Sequence, residues 1–385
     1  CVRGPPRGRS APSERPGGTD VAEYVRTLVL DARPAPVARV GALARWLRLW
    51  FPTRTIGVFS VLLLALLAGV GWKLLRWGVL NAQWRGSSSE ACPDASGACW
   101  AFVGARWRPW LVGGYPPEEL WRVWLAFGLF AAFWIWAVRR RADASPAPVL
   151  WGLGLLPLML GALLLGGGAL AFVSPMHWGG LLLTLVATLV TFATALPLGL
   201  LLALGRRSRL PVVRLLCAGF VESMRSVPLL ALLFVAATLL PMFLPAGWSV
   251  DLFTRALVTF ALFNAAMAAE VFRGGLQTVG AGQLEAAATV GLGDLRALVL
   301  VVLPQALAAV VPALVNIMIA VIKETTLLSV IGLNDLLGAI ENGAKTPEWI
   351  GAANILTSGQ VFLALVYLGA CWGLSRYSRR LEVRR

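Results

Sequence analysis

Eight apolar runs dominate this chain, and they constrain its fold more than any other feature. They cover residues 56–75, 121–138, 149–173, 180–204, 212–240, 252–271, 301–322 and 360–374. About 20 apolar residues suffice for a helix to cross the hydrocarbon core. The reading is an all-α polytopic membrane protein with eight transmembrane helices. The fifth run is too long for one straight helix, holds Pro228 and is closed by Pro241, which predicts a break or a tilt there. Composition agrees: 58% of the residues are apolar and only 14% charged, against about 25% charged in a soluble domain. The chain lacks the polar surface to cover itself in water.

The net charge of +15 then needs an explanation other than nucleic acid. Only Lys73, Lys323 and Lys345 are lysines; the other basic residues are arginines gathered between apolar runs. Ten arginines precede the first run, Arg139 to Arg141 follow the second, Arg206, Arg207, Arg209 and Arg214 follow the fourth, and five follow the eighth. The alternate loops are poorer in Lys and Arg, and in loop 77–120 three arginines are offset by four acids. The positive-inside bias therefore predicts eight spans with both termini inside.

Loop 77–120 is then outside, and it holds Cys92 and Cys99 in a polar stretch. An oxidising compartment favours a small-loop disulfide between them; the alternative is two free thiols. With His177 as the single histidine, no metal site is expected. Residues 1–55 read as a cytoplasmic segment, largely disordered over its Pro-, Gly- and Arg-rich first forty residues. Tryptophans 46, 50, 72, 77, 110, 121, 178 and 349 fall near predicted interfaces, where indole rings favour headgroup depth. Gly166 to Gly168 lie inside the third run and read as helix packing.

Enzyme signals are poor. The chain has no GxxxxGK[ST] phosphate loop and no HExxH, so no catalytic residue and no cofactor is assigned to it. The informative polar segment is 280–304, GAGQLEAAATVGLGDLRALVLVVLP, between the sixth and seventh runs. Taken alone it is a solvated connector with a short helix and a turn. Its spacing says more: Glu285-Ala286-Ala287, three residues, Gly291, nine residues, then Val301-Val302-Leu303-Pro304. This resembles the EAA loop of ABC importer permeases, with Val301 where the family usually has Ile.

Other segments agree. Residues 220–230, FVESMRSVPLL, resemble the FIExxRGxPLL segment of polar amino-acid permeases, with Ser226 in place of Gly; residues 269–277, AEVFRGGLQ, resemble its AExxRGGLQ segment. Lys323-Glu324-Thr325-Thr326-Leu327 resembles KDTSL, and Trp84-Arg85-Gly86 with residues 97–102 resembles the outer loop of the larger, eight-span general L-amino-acid permeases. The resemblance covers roughly residues 40–385. It implies three additional helices over 56–173 and a five-helix permease core over 174–385. It also implies that Glu285, Ala286, Ala287, Gly291, Leu303 and Pro304 couple the chain to a cytoplasmic ABC ATPase dimer. Further implied partners are a second permease subunit, related or identical, and a periplasmic amino-acid-binding protein, in a bacterial inner membrane. ATP and Mg would belong to the ATPase. A secondary transporter driven by an ion gradient is the rival reading; it would want internal repeats and leaves the EAA spacing unexplained. A third is a membrane-anchored interaction protein acting through the outer loop.

Six charges lie in or at the edges of apolar runs: Glu222, Arg225, Glu270, Arg273, Lys323 and Glu324. Each costs about 2.5–3.5 kcal/mol at bilayer centre on insertion scales. Glu222 with Arg225 and Glu270 with Arg273 are spaced i,i+3 and can meet on a helix. A zwitterionic substrate, however, needs an opposed cation and anion, which makes Glu222, Arg225 and Glu270 candidates for the substrate path. Arg273, Lys323 and Glu324 read as structural or coupling charges. On this reading Glu270→Gln, in a normally assembled complex, impairs uptake of neutral and acidic amino acids; unchanged uptake would refute it.

Overall fold

A computed structural model describes residues 41, 46, 50, 51, 53–139, 147–168, 170–245 and 247–382. The expected disorder of the first forty residues lies outside these, as do Arg140, Arg141, Arg384 and Arg385. The chain divides into two compact units, 1–69 and 70–385. In the first, the Ser60 hydroxyl donates to the Trp50 carbonyl at 2.8 Å, and the Trp46 and Trp50 rings lie 6.1 Å apart. Helix α1, Arg54–Leu75, begins there and runs on through a π turn, Arg76–Leu80.

The second unit holds α2 (Leu120–Arg139), α3 (Ala147–Leu165), α4 (Gly180–Gly205), α5 (Pro211–Ser226), α6 (Leu229–Phe234), α7 (Leu252–Thr278), α8 (Ala281–Thr289), α9 (Leu303–Glu324), α10 (Leu336–Ala344) and α11 (Ile355–Glu382), with shorter turns between. Six helices among the described residues are long and apolar enough to cross a membrane; α5 with the segment from Leu229 to Phe243 makes a seventh, broken by 100°. The remaining apolar run is the shorter α3, which gives up its last residues to a turn. Gly166, Gly167 and Gly168 all have positive φ (72°, 109° and 65°). They end the helix instead of packing it against a neighbour.

Three of the breaks lie at prolines, although Pro157, Pro197 and Pro312 sit inside α3, α4 and α9 without breaking them. Val227 is extended (φ −107°, ψ 134°), as the clash with a following Pro ring requires, so α5 stops at Ser226 and α6 starts after Pro228. Pro241 does not close the fifth run: helix continues to Phe243. It cannot donate to the carbonyl four residues back, and the chain widens into a π turn over Val235–Leu239. The freed Ala237 carbonyl and that of Ala236 accept from Arg255 of α7, at 2.6 and 2.8 Å. A guanidinium inside an apolar helix thus finds its partners in backbone released by a proline. Pro304 has the same effect on α9, whose start is preceded by a π turn over Leu298–Val302.

Close backbone approach holds the centre. A Cβ on Gly199 of α4 would come within 2.9 Å of the Ala265 carbonyl, and one on Gly275 of α7 within 3.0 Å of the Ala306 carbonyl. With Ala266, Ala268 and Ala269 fully buried, α7 packs by the small-residue mode that suits lipid, where apolar surface alone does not drive association. One core joins α2, α3, α4, α6 and α7; a second joins α4, α5, α7 and α9 at the other end.

A third core lies at the end bearing loop 77–120, and is built from that loop, α10 and α11. Cys92 and Cys99 are joined by a disulfide. The Cys99 amide donates to Ser358 Oγ at 2.8 Å, and Asn354 Nδ2 to the Ala95 and Gly97 carbonyls at 2.8 and 3.1 Å. Phe102 stands edge-on between Trp110 and Trp349, centroids 5.1 and 5.2 Å away. Trp110, Trp178 and Trp349 are 1%, 4% and 1% exposed, so these three are core residues and not part of an interfacial belt; Trp72 and Trp121 are exposed, as a belt requires.

In this layer Asp335 caps α10, accepting from the Gly338 and Leu337 amides at 3.0 and 3.3 Å. Its side chain is fully buried, and burial outweighs the two amide bonds, pushing the carboxyl from 3.8 up to about 6. The folded chain therefore holds this proton more tightly than the unfolded chain. The resulting stabilisation, about 3 kcal/mol, is complete below the unfolded value and is lost as pH rises through about 6. Hydrogen exchange of the α10 amides, corrected for intrinsic rates, should show less protection at pH 7 than at pH 5, and Asp335→Asn should flatten that dependence.

Candidate functional site

Segment 280–304, which its resemblance marks as a coupling loop, is built around a helix of nine residues. α8 follows the extended Gly280 and is exposed along its length except at Ala287, which is 4% exposed; Glu285 and Ala286 are both open. It ends where the Gly291 amide donates to the Ala288 carbonyl and the Leu292 amide to that of Ala287, both at 3.0 Å. This bond pair is a Schellman ending, which needs a left-handed residue at its first position beyond the cap. Gly291 supplies it with φ 79°. Leu303 and Pro304 lie elsewhere: they open α9, beyond a four-residue helix, Asp294–Ala297, and the π turn. Segment 280–304 is therefore a short helix, a glycine turn and the first turns of a span. Gln305 ties the two parts together, donating to Gln283 Oε1 at 3.3 Å and to the Val301 carbonyl at 2.9 Å. Leu284, Val290 and Leu295 are 43%, 74% and 73% exposed, an apolar surface that nothing in this chain covers among the described residues.

Next to it lies a cluster of five charges. Glu270 of α7 accepts from Arg273 Nε and Nη2 at 2.9 and 2.7 Å, is bonded to Arg206, and meets Arg225 at 3.5 Å. Arg206 also reaches Glu222 of α5 at 3.2 Å, while Arg225 lies 3.8 Å from that carboxylate. Glu270 is 18% exposed and Glu222 61%. The structure thus brings Glu222, Arg225, Glu270 and Arg273 together, and adds Arg206, which sequence reasoning counted only as an orientation charge. The signal available was position: Arg206 is the first residue past α4, at the depth where α7 carries Glu270. Its neighbours also tie elements together. Arg207 donates to the Leu276 carbonyl at 3.2 Å and Arg209 pairs with Asp294 at 3.0 Å.

Lys323 and Glu324 are not part of this cluster. They end α9 beside Asn264, the middle of α7, whose Nδ2 lies 3.4 Å from Glu324 Oε2. Asn264 is 2% exposed and Thr325 fully buried, and the Thr325 and Tyr367 hydroxyls are 3.4 Å apart. Lys323 is exposed, and none of the ion pairs found among the described residues involves its ammonium. This mid-depth group is what spacing along the chain could not reveal, since its members come from three helices.

The Schellman ending makes a prediction. Space around Gly291 is open, so Gly291→Ala meets no neighbour and costs only the local clash of a Cβ in the left-handed region, about 1–2 kcal/mol. Amide exchange over residues 287–292 should accelerate about tenfold, and Gly291→Asn should lie between the two.

Comparison with known proteins places these features. The model of the family described as "Binding-protein-dependent transport system inner membrane component" matches residues 195–382, from the second half of α4 through α11. The chain is 44% identical to the inner membrane amino-acid ABC transporter permease protein YhdY of Escherichia coli, over 81% of this chain and 84% of that protein. It is 34% identical to the glutamate/glutamine/aspartate/asparagine transport system permease protein BztC of Rhodobacter capsulatus, over 93% of this chain and 97% of that one. The probable glutamine ABC transporter permease protein GlnP of Bacillus subtilis is 34% identical over 54% of this chain and 92% of its own length. The exposed α8 and the Glu222–Glu270 cluster both fall inside the matched region, and two relatives are covered nearly end to end: the chain belongs to the family of inner-membrane permease components of binding-protein-dependent transport systems.

Proposed function

We propose that this chain is the membrane-spanning half of an ATP-driven importer of L-amino acids, and that α8 is its contact with a cytoplasmic ABC ATPase. The observation that carries the reading is α8 itself. It is a rigidly capped nine-residue helix with one buried residue, an uncovered apolar rim of Leu284, Val290 and Leu295, and a tether to α9 through Gln305. Such a helix is a lever: a push on it is passed as rigid-body motion to the spans. Glu285, Ala286, Ala287 and Gly291 form the lever and its stop, and Leu303 and Pro304 begin the span it moves. ATP and its Mg are held by the partner.

In this cycle both termini are cytoplasmic, and loop 77–120 with α10 faces the periplasm, where a binding protein delivers substrate. A second permease subunit completes the path, and its partnering surface lies in the five-helix core, 174–385. The first three spans are an addition, as the half-chain match to a shorter relative suggests.

The zwitterion is met at mid-depth. Lys323 and Glu324 offer a cation and an anion on adjacent residues, halfway along α7, where a charge persists only with a partner or water. Glu222, Arg225 and Glu270 are paired with one another and with Arg206 and Arg273, so they border the path and shape it. The EAA resemblance and the exposed α8 favour this importer over an ion-driven carrier.

Purification from the native membrane should yield a complex with an ATPase whose hydrolysis rises when a substrate-loaded binding protein is added. In that complex Lys323→Met and Glu324→Gln should each lower amino-acid uptake about tenfold or more, the loss of one charge-assisted contact, while the subunits still elute together. Absence of a co-purifying ATPase would refute the importer reading.

A further inference from the structure

From the ion-pair geometry we infer that Arg206 is a positioning residue for transport: it is the latch that holds the broken helix α5 against α7, and it releases when the spans change state. The inference rests on the importer reading for its timing, but not for the latch itself.

Three observations carry it. First, α5 is poorly anchored by packing. Val221 is its one fully buried residue among those described, and Val212, Leu215 and Leu216 are 66%, 73% and 67% exposed. Second, the chain bends by 100° directly after it, so no continuous helix fixes its direction. Third, its polar end is held by charge. Arg206 bonds at once to Glu222 of α5, at 3.2 Å, and to Glu270 of α7, and Arg225 of α5 reaches Glu270 at 3.5 Å. Residues 222–225 and 270–273 are both E-x-x-R turns. Each carboxylate has an arginine on its own helix; Arg225 also lies within ion-pair distance of both, but Arg206, at the end of α4, makes the shorter contacts to the two.

A guanidinium suits this position because its fork can serve two carboxylates together, which an ammonium does less well. The five charges sum to +1, so the cluster does not neutralise itself, and Arg225 and Arg273 remain 38% and 37% exposed. Rearrangement is therefore a change of partners over a few ångströms, without burying an unpaired charge. The same corner bears on α8: Arg207 and Arg209, one and three residues on, reach the end of α7 and Asp294 beside the coupling turn. The Arg209–Asp294 pair is 92% and 88% exposed and weak, so motion at α8 is passed to the latch chiefly through α7 and the Arg207 contact to Leu276.

Cys217 reports the state of the corner. A Cβ on Gly205 would lie 2.4 Å from Cys217 Sγ, so the thiol sits where α5 meets α4, and Cys217 is only partly exposed. The test uses the full complex with Cys1→Ser and Cys371→Ser, leaving Cys217 as the free thiol. Two quantities are measured: alkylation rate of Cys217 and substrate carried per ATP hydrolysed. With Arg206 intact, alkylation should be slow without nucleotide and should rise about fivefold or more when ATP and vanadate trap the closed ATPase, a modest conformational coupling. Arg206→Gln should alkylate fast in both states and should hydrolyse ATP without needing the binding protein, lowering substrate per ATP by a similar factor. Arg206→Lys, keeping the charge but losing the fork, should recover part of both.

Should Arg206→Gln fail to assemble, Glu222→Gln removes only the exposed α5 arm and should give the same phenotype in milder form. An assembled Arg206→Gln or Glu222→Gln complex with unchanged Cys217 reactivity and unchanged substrate per ATP overturns the latch and leaves the importer reading standing. Cys217 alkylation in the permease without its ATPase needs no hydrolysis, so the latch is decided even where the importer reading fails.

Discussion

A charge in hydrocarbon must find a counter-charge, a carbonyl or water, and each failure costs about 2.5–3.5 kcal/mol on insertion scales. That constraint organises this protein more than any single contact. Most of its arginines are kept between the spans. Those that enter are each answered locally: Arg255 by two carbonyls of the π turn before Pro241, Arg122 by Glu119 at 2.8 Å and the Ala171 carbonyl at 2.7 Å. Glu270 is answered three times over. The polar positions of the fold are therefore few and enumerable, and each joins elements that apolar packing leaves free to slide.

The same accounting explains where the helices break. Pro228, Pro241 and Pro304 each remove a donor where the chain takes an altered turn, whereas Pro157, Pro197 and Pro312 lie inside α3, α4 and α9 without breaking them. At Pro228 this is an elbow, at Pro241 a π turn satisfied from α7, at Pro304 a π turn between α8 and the span that follows it. Two of these lie next to the residues assigned a role in transport. π turns lodged in α-helices are often found at such places, because a widened turn changes helix direction without surrendering its hydrogen bonds.

Much of this was legible in the order of residues. Hydropathy alone marks the spans, since their length is set by the bilayer and not by tertiary context. The broken fifth run follows from Pro228, and the turn at Gly291 is written in the glycine. What escaped has a common cause. Trp110, Trp178 and Trp349 stand near span ends and read as belt residues, but the 77–120 loop carries Trp110 into the core and packs on Trp178 and Trp349, and a loop's path is not encoded in local pattern. Gly166 to Gly168 read as packing because hydropathy does not distinguish a glycine in a helix from one that ends it. Arg206 was invisible as a hub because its two carboxylates are 16 and 64 residues away; chain spacing exposes i,i+3 pairs and conceals everything that tertiary contact assembles.

The two ends of the permease are held by different kinds of force, and this difference bears on where it moves. At the end bearing loop 77–120, a disulfide, buried indoles edge-on to Phe102 and backbone bonds to Ser358 and Asn354 lock loop, α10 and α11 together. Packed aromatic layers have no second arrangement nearby: sliding them opens voids, and a void forfeits contact on every lining atom. At the other end, α5 and α8 each bury one residue and are fixed by ion pairs and a glycine turn. Ion pairs at partial exposure trade partners cheaply, and a bare helix loses little when displaced. A force applied to α8 is therefore taken up at the Arg206 corner and spent before it reaches the aromatic cap. The mid-depth group around Lys323 lies between the rigid end and the compliant one, on a helix that is driven at its start and stays fixed beyond its end. In the proposed cycle a polar group so placed is re-aimed by every stroke, which is what alternating access asks of a substrate contact.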